Sequence, residues 1–168
     1  HYKFGAFSDE YWRVTENCLK TAREYGMNCE LTPIDTPPLD TQKGKERPTV
    51  QLIDITVKDG IYSFNFDKLT QWIEMAHRCG IEYFELAHFY TQWGAKHAPK
   101  IMATVDGDYK KIFGWRTRAN SRKYKEFLTA LSVELKEYLE KRNLRNKVFI
   151  HVSDEPNASM KHTYKKAS

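Results

Sequence analysis

The sequence holds 168 residues, 40% hydrophobic and 14% aromatic, enough apolar material for one core and too much for a disordered or fibrous chain. The formal net charge of +5 is spread with acids between the bases. The densest basic stretch, Lys110 to Lys125, accompanies no nucleic-acid motif or stacking array, so no nucleic-acid partner is expected. No run reaches the ~18 apolar residues of a bilayer span, and no signal-peptide core opens the chain, so no membrane partner is expected either.

In chain order, Tyr11, Val14, Cys18, Ala22 and Tyr25 recur at helical spacing, with Ser8 placed as N-cap and Gly26 as terminator. Met27 to Ile34 then reads as a short buried strand, stopped by Pro33 and the Pro37-Pro38 pair. Thr49 to Val57 and Ile61 to Phe66 alternate in part around a turn-like Lys58-Asp59-Gly60, which predicts a hairpin. Phe66, Leu69, Ile73 and Ala76 mark a second helix that Gly80 ends, and Ile81 to Ala87 reads as the next strand. A third helix carries Phe127, Leu131, Leu135 and Tyr138, stops near Asn143, and leads into a strand at Val148 to Val152. Asn157 to Ser168 has room to begin a fourth helix.

Helices alternating with strands imply a parallel sheet with the helices packed outside it, because a parallel crossover must pass over the sheet face. Turns from helix into strand are short, whereas the segments after the strands, Asp35 to Asn65 and His88 to Asn120, are long. Barrels with elaborate active-site loops at the C-terminal face have this asymmetry. A complete barrel has eight strands in roughly 250 residues. The expectation is therefore α/β: a partial (β/α)8 TIM barrel with about three parallel strands, outer helices and an inserted β-hairpin. Residues 1–168 read as a single partial barrel domain, a fragment of a larger protein. Its unpaired sheet edges predict self-association or pairing with the remaining barrel segments.

If the C-terminal face holds the site, the residues to inspect are Pro33 and Asp35, His88 to His97, and His151 to Pro156. The last segment is an apolar strand ending in the adjacent acids Asp154 and Glu155. Spacing alone also fits helix capping, with Asp154 as N-cap, Pro156 in the first turn and Glu155 at the positive end of the dipole. His88, His97 and His151 show no recognised metal spacing, so neither a metal nor another cofactor is expected. Cys18, Cys29 and Cys79 are odd in number and lack the paired spacing of zinc or redox motifs. They read as free thiols, which makes a cytoplasmic location the expectation.

Four segments carry a resemblance: Thr36-Pro37-Pro38-Leu39-Asp40-Thr41, Glu46-Arg47-Pro48-Thr49-Val50-Gln51-Leu52, Thr91 to Lys100, and His151-Val152-Ser153-Asp154-Glu155-Pro156. They resemble bacterial TIM-barrel proteins related to glycoside hydrolase family 123, of the β-N-acetylgalactosaminidase type. The resemblance implies a carbohydrate substrate and an adjacent Asp-Glu pair that works by substrate assistance. The sugar's acetamido oxygen attacks the anomeric carbon, Asp154 orients the acetamido group, and Glu155 protonates the leaving oxygen. The spacing is compatible, since a conventional retaining pair stands about 5 to 5.5 Å apart on opposite faces of the anomeric carbon. Neighbours with Cα atoms about 3.8 Å apart more naturally serve one edge of the sugar.

The expected function is a glycoside hydrolase acting on a 2-acetamido sugar by substrate-assisted retaining hydrolysis, with the 168-residue piece inactive by itself. Expected substrate-binding residues are His88, Gln92, Trp93, His97 and His151, with Asp35 and Tyr90 as lesser candidates. Trp93 serves equally well as a sugar platform or as a loop-core filler, and loop histidines are commonly structural. Two alternatives stand beside this reading. One is a retaining glycosidase with Glu155 as acid/base and its nucleophile on a missing strand; the other is a non-catalytic carbohydrate-binding barrel.

Overall fold

A computed structural model describes residues 4–37, 41–92 and 94–153. Among these residues the order is α1 (Asp9–Glu24), β1 (Cys29–Thr32), β2 (Asp54–Lys58), β3 (Ile61–Asn65), α2 (Asp67–Arg78), β4 (Tyr83–Leu86), β5 (Ile101–Val105), β6 (Asp108–Phe113), α3 (Arg122–Lys141) and β7 (Val148–Ile150). Each of the three helices precedes one strand of a parallel sheet, ordered β1-β4-β7.

Local chemistry sets the helix ends. The Tyr11 N–H donates to Ser8 Oγ at 3.2 Å, and Asp9 and Glu10 lie in the first turn, where the helix dipole favours acids. Gly26 and Gly80 close α1 and α2 with φ of 88° and 85°, and Asn143 ends α3 at φ 56°. These are left-handed positions that glycine and asparagine enter at least cost.

The buried face of α1 lies one position away from the expected stripe. Cys18 and Tyr25 are exposed, whereas Leu19 is buried. Trp12 meets Trp72 of α2 edge-on at 6.3 Å, and the Glu16 carbonyl accepts from Cys79 Sγ at 3.6 Å. The large side chains of Trp12 and Leu19 offer more apolar area than Cys18 and Ala22, so burial selects their side of the helix. Helix α2 follows its expected face through Leu69, Ile73 and Ala76, and adds Trp72 and Met75. Its wide buried surface reflects two neighbours: α1 on one flank, and α3 on the other, where Phe66 stacks on Tyr138 at 4.7 Å.

The second sheet is larger than the single hairpin predicted. Its order is β3-β2-β5-β6, with β2 parallel to β5 through Thr56 opposite Thr104 and Val57 opposite Val105. Two antiparallel hairpins therefore meet along one parallel seam. Their turns are alike: Asp59 and Gly60 have φ of 51° and 79°, and Asp106 and Gly107 have 51° and 95°. Positive φ at both central residues is the type I′ pattern that matches strand twist. The long segment after the second predicted strand, His88 to Asn120, thus contains β5 and β6.

Helix α3 joins the two sheets. Phe127 is 1% exposed, with the rings of Tyr62, Phe64 and Phe113 at 5.3, 6.0 and 5.1 Å. Phe84 and Leu86 of β4 lie in the same core cluster. On the opposite face of the parallel sheet, Phe149 is 54% exposed and sits in register with Glu85 and Leu31. The protein is a mixed α/β fold, and its described strands form two open sheets that do not close into a barrel. No helix among the described residues is long and apolar enough to cross a membrane.

Candidate functional site

Because β1, β4 and β7 run parallel, their C-terminal ends bring Asp35, His88 and His151 to one edge of the sheet. After β1, Asp35 is 5% exposed, and burial holds its carboxyl well above the usual carboxylate range. It shares the lining of a small cavity with Ile34, Phe89 and Tyr124. Among the described residues Asp35 Oδ1 has no hydrogen-bond partner, and the Tyr124 hydroxyl donates to the Phe89 carbonyl. Burial first and the Asp35 carboxyl second push the Tyr124 phenol well up.

The end of β4 and the end of β7 form the tightest polar group. The Glu85 carboxyl meets His151 Nδ1 at 2.5 Å, and the rings of His88 and His151 stand edge-to-face with centroids 4.2 Å apart. His88 is buried, while Glu85 and His151 are part-exposed. Glu85 faces away from the helices because strand alternation sends Phe84 and Leu86 into the helical core. The sequence reading missed Glu85. Ile81 to Ala87 reads as a strand, and within it a single acid between Phe84 and Leu86 marks the other face.

His97 belongs elsewhere. Its ring faces Trp115 at 6.2 Å, its backbone bridges to Arg118, and burial followed by Lys43 lowers its pKa. Two hydrogen bonds link Thr91 and His97: the Thr91 N–H donates to the His97 carbonyl at 2.9 Å, and the His97 N–H donates to Thr91 Oγ1 at 3.3 Å. Gln92 is buried beside them. Ser153, 1% exposed, donates from Oγ to the Thr91 carbonyl at 2.9 Å and so ties the segment after β7 to the segment after β4. The structure thus brings His88 and His151 together and places His97 with Trp115. Trp93, Asp154 and Glu155 lie outside the described residues, as does the fourth-helix segment Asn157 to Ser168.

An α/β scaffold with imidazole, carboxyl and amide groups at one strand edge is joined here by a family match that gives the class: glycoside hydrolase. The matching model is that of glycoside hydrolase 123, catalytic domain, over residues 1–168, and the chain belongs to this family. No curated protein matches the chain.

Proposed function

We propose that this glycoside hydrolase acts on a 2-acetamido sugar by substrate-assisted retaining hydrolysis. Asp154 orients the acetamido group and Glu155 is the general acid. The observation that carries the reading is the Ser153 to Thr91 hydrogen bond of 2.9 Å. It fixes the chain one residue before Asp154 beside the segment that bears Gln92, at the sheet edge where parallel α/β proteins collect their reactive groups. His88 and His151 at that edge, with Gln92, supply hydrogen-bonding groups for sugar hydroxyls. Trp93 is assigned to stacking on the ring, and His97 to the outer part of the site on its Trp115 side.

The same reading treats the parallel sheet as an arc of a (β/α)8 barrel. Two features support this: all three strands run parallel with helices on one face, and the other face carries Leu31, Tyr83, Glu85 and Phe149, as a barrel interior would. The outer edges of β1 and β7, unpaired among the described residues, and the exposed Phe149 and Ile150 also support pairing with further barrel strands or with a second copy. The test of function is hydrolysis of aryl 2-acetamido-2-deoxy glycosides by the complete protein. Turnover that needs the acetamido group supports the assignment, and equal turnover of the corresponding 2-hydroxy glycosides contradicts it.

A further inference from the structure

The hydrolytic reading leaves Glu85 without a task, yet Glu85 is the centre of the most concentrated donor group among the described residues. Glu85 and His88 come from one strand end, and β4 pairs with β7 through Glu85 opposite Phe149 and Leu86 opposite Ile150. That register carries His151 alongside them. The result is two imidazoles and one carboxylate whose ligand atoms all lie within 4.8 Å of one another.

We propose that Glu85, His88 and His151 form a binding site for a divalent transition-metal ion of the Zn²⁺ class. Two histidines and a glutamate are a donor set that holds zinc while leaving a fourth position open. Ligands about 2.0–2.1 Å from a tetrahedral ion stand roughly 3.4 Å from each other. The Glu85–His151 pair, 2.5 Å apart, therefore opens by about an ångström around an ion, and the widest pair, within 4.8 Å, closes by a little more than that. Rotations of the Glu85 and His151 side chains, 39% and 36% exposed, cover such distances without moving the strands. His88, at 3% exposure, forms the fixed wall, so the open position faces the exposed side of the group. The group escapes sequence inspection because Glu85 and His88 are separated from His151 by more than sixty residues and meet only through parallel pairing.

The test is loading of purified, tag-free protein with Co²⁺, followed by desalting, elemental analysis and visible absorption. Glu85→Gln and His151→Asn are run alongside. Cys29→Ser is the control, since the Cys29 thiol lies close enough to feel the Glu85 charge. The expected result is one Co²⁺ per chain in the parent and in Cys29→Ser, without a thiolate charge-transfer band. Affinity should fall by more than about 100-fold in Glu85→Gln and His151→Asn, exceeding the usual effect of losing a supporting group. A Zn²⁺ titration followed by imidazole ¹⁵N NMR reads the unaltered protein: the His88 and His151 signals shift by one equivalent while those of His77 and His97 stay in place. Absence of retained metal, retention undiminished in either variant, or a thiolate band that Cys29→Ser abolishes overturns the proposal. Metal content and ring shifts are read without substrate, so the outcome stands apart from that of the hydrolytic reading.

Discussion

Replacing Phe127 by Ala tests whether α3 is the joint between the two sheets. Phe127 is 1% exposed and meets Tyr62 of β3, Phe64 of β3 and Phe113 of β6 at 5.3, 6.0 and 5.1 Å. Truncating such a buried ring costs about 3–5 kcal/mol through lost transfer energy and the cavity left behind. That is a large share of the roughly 5–15 kcal/mol by which domains are stable. At about 2–4 °C per kcal/mol for a chain of this size, the melting temperature should fall by roughly 6–20 °C. The comparison is Phe149→Ala, the same change at a ring 54% exposed, which should stay within about 0.5 kcal/mol. Thermal unfolding followed by near-ultraviolet circular dichroism, with urea titration as a second probe, measures both. Equal shifts for the two variants, or a loss below about 1 kcal/mol at Phe127, would refute the joint.

Three further outcomes are expected. Glu155→Gln in the complete protein should slow a poor-leaving-group substrate by about 10²- to 10⁴-fold and an activated aryl glycoside far less, because a good leaving group needs little acid catalysis. Asp154→Asn should slow both alike, and equal leaving-group dependence in steady-state kinetics would end this division of roles. Burial raises the Glu30 carboxyl to about 7. The folded chain therefore holds a proton that the unfolded chain has released, and stability should fall as pH rises from about 4.5 to about 7. Glu30→Gln should flatten that slope and stabilise the protein above it, and an unchanged slope in pH-dependent unfolding would contradict the assignment. Light scattering of the 168-residue chain should show self-association through the β1 and β7 edges that are unpaired among the described residues. A monodisperse, highly stable monomer would argue against the barrel-arc reading.

Much of the fold was legible because its punctuation is chemical. Ser8, Gly26, Gly80 and Asn143 mark helix ends where cap geometry favours those residues, and all four positions have the expected role. The first hairpin was legible from alternation around Asp59-Gly60. The second carries the same Asp-Gly turn at Asp106-Gly107, but two lysines and a tyrosine within β6 obscured its alternation. The face of α1 was misread because Cys18 and Tyr25 are spaced like a core stripe, while burial follows the larger contribution of Trp12 and Leu19. Of the site, His88 and His151 were legible as strand-end residues on a parallel sheet. Glu85 was not, since only strand register turns an acid within an apolar run into a partner for His151.

The central claim is hydrolysis assisted by the substrate's own acetamido group. The direct measurement is inhibition of aryl 2-acetamido-2-deoxy glycoside hydrolysis by a sugar thiazoline that mimics the cyclised intermediate, with the anomeric configuration of the first-formed product read by NMR. The account predicts competitive inhibition by the thiazoline and release of product with retained configuration. Turnover indifferent to the thiazoline, or an inverted product, would contradict it.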